Sequence, residues 1–335
     1  MKRIAFILMV TLLGACKKND AESAPYKQKN DENSSINYKQ EMRNFVIGIS
    51  KYAKNINSKF AVIPQNGIQL VTVDGERTGA PNTAYLNAID GNGQEDLFFG
   101  YDNDDQATDP AVTSNLKGYL DISKANGKKI LAIDYCSTPS KMMSSYQLNG
   151  AAGYTSFAAD QRELNNIPGF PAKINNENAN VITSLSQAKN FLYLLNNTDN
   201  FNSKADFIKA VTATNYDVLV MDAYYDQVAF TATEVNALKK KANGGKRLVI
   251  SYMSIGEAEN YRYYWQKAWK PGNPVWLDAE NPLWKGNYKV KYWNKDWQNI
   301  IYGNDNSYLK KIVSANFDGV YLDIIDAFEY YEDKN

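Results

Sequence analysis

Short apolar runs recur along this chain, and most of them close on a polar or acidic residue. They span residues 60–65, 86–90, 129–134, 154–160, 191–195, 217–222, 247–253, 288–292 and 317–323. Runs that stay apolar instead of alternating mark strands buried on both faces, as in parallel sheets. Helical patterns fall between them. Residues 41–56 put Phe45, Ile49, Tyr52 and Ala53 on one face, and 115–125, 206–212, 233–242 and 308–315 read the same way. Ala242-Asn-Gly-Gly245 supplies a helix stop. Alternation sustained over about eight or nine strands predicts an α/β fold of the (β/α)8 TIM-barrel type. No Gly-x-Gly-x-x-Gly turn follows any run, which argues against a dinucleotide-binding sheet. The order is unusual, because a helix comes first and the last run, 317–323, has no helical pattern behind it. A closed barrel has no privileged starting point, so the first helix is expected to serve the last strand.

The N-terminal pattern is of a different kind. Lys2 and Arg3 precede an apolar stretch over residues 4–13, and Leu13-Gly14-Ala15-Cys16 has the form of a bacterial lipobox. The stretch is too short to span a bilayer, so residues 1–15 are expected to be a cleaved signal. Cys16 would then carry lipid and hold the mature chain to the bacterial cell envelope, on the periplasmic side or the outer surface. Residues 16–38, rich in Lys, Asn, Asp, Glu and Ser, read as a flexible tether. The remaining stretch, 39–335, of about 295 residues, suits one large domain.

Composition narrows the chemistry. The chain has 37 basic and 37 acidic residues, and loss of Lys2 and Arg3 with the signal leaves 35 against 37. There is no basic stripe of the kind nucleic acid requires, so no nucleic-acid partner is expected. With Cys16 lipidated, Cys136 stands alone and no intrachain disulfide forms. There is no histidine. That excludes Ser-His-Asp and Cys-His catalysis and the usual zinc sites, and it weighs against a metal-dependent deacetylase. Acid–base work falls to Asp, Glu, Tyr or Lys, with no cofactor and no metal, in a chain read as a monomer.

Carboxylates gather in three segments. Ser251-Tyr-Met-Ser-Ile-Gly-Glu-Ala-Glu-Asn-Tyr-Arg262 breaks at Gly256 and presents Glu257, Glu259 and Arg262; Gly93-Gln-Glu-Asp96 presents Glu95 and Asp96; Asp323-Ile-Ile-Asp326 closes the last run. Paired carboxylates across a cleft are the equipment for hydrolysing glycosidic bonds. Asp134 and Asp222 end apolar runs, Gln65 and Asn66 follow Pro64, and Tyr224 follows Asp222, which makes all five candidate sugar contacts. Each has a plainer explanation taken singly: an Asp at a strand end commonly caps a helix or joins a salt bridge, and Gln65-Asn66 can simply close a turn. Asp102-Asn-Asp-Asp105 reads as a solvated loop and Cys136 as a small buried side chain.

The combination is more specific. Residues 251–265, Asn281-Pro-Leu-Trp284 with Tyr288-Lys-Val-Lys-Tyr-Trp293, and Phe317-Asp-Gly-Val-Tyr-Leu-Asp-Ile-Ile-Asp326 together resemble the endo-α-1,4-polygalactosaminidase family of glycoside hydrolases. Phe60-Ala-Val-Ile-Pro-Gln-Asn-Gly67, Gly93-Gln-Glu-Asp96 and Ile130-Leu-Ala-Ile-Asp-Tyr135 resemble later strands of that family, yet they come first here. The resemblance therefore implies a circularly permuted TIM barrel, with residues 39–165 holding later strands and 185–335 earlier ones. It implies a hydrolase of α-1,4-linked galactosamine-containing polysaccharide that retains configuration, with Asp323 as nucleophile and Glu95 as acid/base. Glu257, Glu259 and Asp326 would face the substrate's ammonium groups. A non-catalytic glycan-binding lipoprotein on the same barrel is the alternative.

Overall fold

The computed structural model describes residues 36–334. The expected signal over 1–15, Cys16 and the tether as far as residue 35 lie outside the described residues. Helix α1 (Tyr38–Ile56) starts at Tyr38 rather than Glu41 because Asn37 caps it, its side chain accepting the Gln40 N–H at 2.9 Å. Met42, Phe45, Val46, Ile49 and Ala53 recur at helical spacing and are fully buried. Each large side chain so placed contributes about 1.5–3 kcal/mol.

Eight parallel strands carry the core: β1 (Ala61–Pro64), β2 (Gly91–Glu95), β3 (Lys129–Tyr135), β4 (Thr155–Ala159), β5 (Leu192–Leu194), β6 (Val218–Met221), β7 (Leu248–Ser254) and β8 (Gly319–Asp323). One sheet has the order β1-β8-β7-β6-β5 and another the order β2-β3-β4. A parallel bridge between Gln65 and Gly93 links β1 to β2, and β4 lies beside β5. This is an α/β fold on parallel sheet, as the apolar runs predict. Register places Tyr321 of β8 between Ile63 of β1 and Tyr252 of β7, so the last strand is central and not an edge. The opposite end of β6 is tied down by Asp217, fully buried, which accepts from Lys241 Nζ at 2.6 Å, from Asn178 and from the Lys189 N–H.

Several elements differ from the pattern. Residues 86–90 are not a strand, because Thr83–Ala88 is a short helix capped by Asn82. The strand is the polar segment behind it, Gly91-Asn-Gly-Gln-Glu95, which reads as a turn by composition. Its glycines are steric: a Cβ at Gly93 would overlap the Tyr321 hydroxyl. Residues 288–292 do not add a parallel strand; Asn287–Val290 pairs antiparallel with Glu257–Glu259 and Leu277–Glu280 in a small separate sheet. A helix does follow the last strand, Ala327–Glu332, with Phe328 and Tyr331 buried. Helix α1 packs against it, and against Tyr308–Ser314, the helix before β8.

The Tyr321 hydroxyl is buried without a hydrogen-bond partner among the described residues. Removing it in Tyr321→Phe is expected to leave stability unchanged or raised. Gly93→Ala is expected to cost about 1–3 kcal/mol by overpacking, and less in the Tyr321→Phe background. Urea unfolding of the two single variants and the double variant measures this; strictly additive costs would show that the two positions do not compete for space.

Candidate active site

Three consecutive sheet neighbours, β2, β1 and β8, deliver Glu95, Gln65 and Asp323 from their C-terminal ends, where functional groups of parallel α/β sheets collect. The residue after each lies in the left-handed region: Asp96 at φ 58°, Asn66 at φ 59° and Ile324 at φ 57°. For Ile324, a β-branched residue, that conformation is strained by about 1–2 kcal/mol. The three turns end the strands abruptly, so Glu95, Gln65 and Asp323 all line one cavity of about 420 Å³.

Gln65 joins the two acids. Its Nε2 donates to Glu95 Oε2 at 2.7 Å and to Asp323 Oδ1 at 3.1 Å, while its Oε1 accepts from Tyr193 Oη at 3.0 Å. A trigonal amide nitrogen spreads its acceptors by about 120°, which sets the two carboxylate oxygens about 5 Å apart. Asn66 Nδ2 donates to the same Glu95 oxygen at 3.0 Å, and the Tyr135 hydroxyl makes a very short bond to the other. Tyr252 Oη donates to Asp323 Oδ2 at 2.7 Å. Burial, and then the Glu95 carboxylate beside it, push Asp323 up to about 8 against the opposing Tyr252 bond. Burial also raises Asp326 to about 6, helped by Glu329 and Glu95. Asp96 rises to about 6 by burial despite Arg162, which bonds it at 2.9 Å and stacks over the Tyr135 ring. Burial and the neighbouring carboxylate thus favour the protonated form of Asp323, and paired carboxyls in such surroundings are equipment for acid–base and nucleophilic catalysis.

A second cluster lies across the cavity. Arg262 donates to Glu259 Oε2 at 2.6 Å and to Asp222 at 2.7–2.8 Å, with Tyr261 Oη on the other Glu259 oxygen at 2.6 Å. Glu257, buried, accepts from Asn281 at 2.8 Å and Lys289 at 3.3 Å, and its Oε2 has no partner among the described residues. Of the predicted residues, Gln65, Asn66, Glu95, Asp222, Glu257, Glu259, Arg262, Asp323 and Asp326 line the central cavity. Tyr224 lines an adjoining one of about 890 Å³ that shares Asp222, Tyr261 and Arg262. Asp134 is placed elsewhere: fully buried, it accepts from the Phe98 and Phe99 N–H groups, Ser145 and Asn149, and so holds a loop. Tyr135, Tyr193 and Tyr252 were not foreseen. Their signal in the sequence is a tyrosine inside an otherwise aliphatic strand, whose hydroxyl must find a partner once buried. Among the described residues no group of three or more Asp, Glu, Cys or His side chains is arranged to hold a metal ion.

Residues 171–335 match the model of glycoside-hydrolase family GH114, and the chain resembles that family. The match takes in β5 to β8 and Asp323, while Glu95 and Gln65 lie outside it. An uncharacterized protein of Methanocaldococcus jannaschii is 38% identical over 171 residues, covering 49% of this chain and 45% of its own length. Uncharacterized proteins of Thermotoga maritima and Deinococcus radiodurans are 34% and 40% identical, over 42% and 38% of this chain and 40% and 39% of theirs. The chain thus spans less than half the length of these relatives.

In the unfolded chain Asp323 ionises near pH 4, in the folded chain near pH 8. Between those values the folded state binds more protons, so this group's stabilising contribution is complete below about pH 4 and lost as pH rises toward 8. Asp323→Asn, which cannot ionise, is expected to gain stability relative to wild type over that window. Melting temperatures of both across the range test this, and a wild type that gains on the variant as pH rises would refute it.

Proposed function

Taking the GH114 resemblance as premise, we propose that this protein is a glycoside hydrolase that cuts within α-1,4-linked galactosamine-containing polysaccharide and retains configuration. The observation that carries the reading is the Gln65 amide, which donates to both Glu95 and Asp323 and so holds one oxygen of each about 5 Å apart, a spacing that supports double displacement over inversion. In this reading the two sheets are one closed (β/α)8 barrel, since β1 to β8 follow one another round the ring in chain order. The family match starts at residue 171, before β5, which supports a permuted order in which β1 to β4 are the family's later strands.

Asp323 attacks the anomeric carbon, the glycosidic C–O bond breaks, and Glu95 gives its proton to the departing oxygen. Glu95 then takes a proton from water, which attacks the glycosyl–Asp323 ester and restores the α configuration. Tyr252 and Gln65 hold the nucleophile's oxygens, and Tyr135 and Asn66 orient the acid. The same reading places the chain as a monomer on the bacterial envelope, held by lipid on Cys16.

One observation favours exchanged roles: burial and the Glu95 carboxylate raise Asp323, which favours its protonated form. Azide decides between the two. Asp323→Ala and Glu95→Ala are each expected to lose about 10²–10⁴-fold in kcat. Added azide should yield a β-glycosyl azide from Asp323→Ala and an α-glycosyl azide from Glu95→Ala. The reverse pairing would exchange the roles, and full activity in either variant would end the two-carboxylate reading.

A further inference from the structure

The catalytic cavity is the middle of three in a row. On the Glu95 side it shares Asn66, Glu95 and Asp326 with a cavity of about 470 Å³ that also holds Gln94, Asp96 and Glu329. On the far side it shares Asp222, Tyr261 and Arg262 with the cavity of about 890 Å³ floored by Tyr224, Tyr263 and Trp265. The first arm touches the acid and not Asp323; the second touches neither. Since the acid protonates the departing oxygen, the arm beside Glu95 is where the leaving sugar sits.

The two arms differ in charge. Four carboxylates line the Glu95 arm and no Lys or Arg does. The other arm balances Asp222 and Asp226 with Arg262 and Lys267 around exposed aromatic rings, Tyr261 at 47% and Tyr263 at 43%. In the Glu95 arm two acceptor groups have capacity to spare. The Asp326 carboxylate is engaged by its own backbone N–H and makes no cap hydrogen bond, with the Lys289 charge favouring its ionised form. Gln94, only 5% exposed, donates from Nε2 to Asn66 and to the Glu95 carbonyl, which leaves Oε1 buried without a partner among the described residues. Buried acceptors without donors favour a ligand that brings donors and positive charge. An ammonium offers three N–H groups; an acetamido group offers one and sets a methyl against a carboxylate.

We propose, building on the hydrolase reading, that the Glu95 arm is a leaving-group subsite requiring a sugar with a free amine, with Asp326 as the group that selects it and Gln94 Oε1 beside it. The aromatic arm takes the other side of the cut and accepts neutral, N-acylated sugars on its rings. The protein therefore cuts in front of an unacetylated residue. After cleavage that residue becomes the new non-reducing end.

The test digests partially N-acetylated α-1,4-galactosamine polymer in ¹⁸O water, which labels new reducing ends, and reads both ends by mass spectrometry. Free amines should dominate the new non-reducing ends, while new reducing ends carry both sugars. New non-reducing ends acetylated as often as the polymer itself would overturn the assignment. A binding measurement keeps the question open to refutation even if no polymer is cut. In the Asp323→Asn background, Asp326→Asn is expected to lower the affinity ratio of galactosamine over N-acetylgalactosamine oligomers about tenfold, and Asp326→Glu to restore most of it. A ratio unmoved by Asp326→Asn and by Asp326→Ser would refute the role of Asp326. Absence of turnover with the ratio shifted would refute the hydrolase reading and keep the subsite.

Discussion

Two carboxylates about 5 Å apart, both ionised in surroundings of effective dielectric near 20, repel by about 3 kcal/mol, on top of the desolvation each pays on burial. The Gln65 amide opposes both terms at once by donating to Glu95 and to Asp323, and Tyr193 holds that amide in the orientation that does so. Burial and the residual repulsion together raise Asp323. Everything distinctive about the cavity depends on this arrangement. The strands must end together, the chain must turn sharply after each, and the surrounding tyrosines must spend their hydroxyls on carboxylates. Ile324 in a left-handed conformation is the backbone's share of that constraint.

The polar network is layered. At one end of the sheet the buried Asp217–Lys241 pair fixes β6 and takes no part in the cavity. At the other, Arg262 bridges Asp222 and Glu259, so that cluster sets one positive charge between two negative ones. Among the described residues, Glu257 Oε2 and Gln94 Oε1 are buried acceptors without a partner that line the cleft. A ligand rich in donors is what such a distribution suits.

Much of this was legible in the chain. Apolar runs closing on Asp located β3, β6 and β8, because a strand buried on both faces leaves no room for alternation. The same rule failed at β2, where Gly, Asn and Gln occupy a buried strand: the bulk that normally marks a core comes there from Tyr321 of another strand. It also took residues 86–90 for a strand, since the helix that ends there, Thr83–Ala88, has too few residues to show a helical period. Asp134 and Asp323 end their runs identically, and only the helix behind β3, which offers Ser145 and Asn149, turns Asp134 into a structural acid. The terminal helix, Ala327–Glu332, is equally short and was missed for the same reason.

The central claim is that Glu95 and Asp323 act across one sugar ring from the separation Gln65 imposes. Proton NMR of the first product released from an α-linked galactosamine oligomer, followed before mutarotation, tests it most directly. The account predicts the α anomer first, with β appearing only as the sugar equilibrates. Initial appearance of the β anomer would mean a single displacement by water and would contradict it.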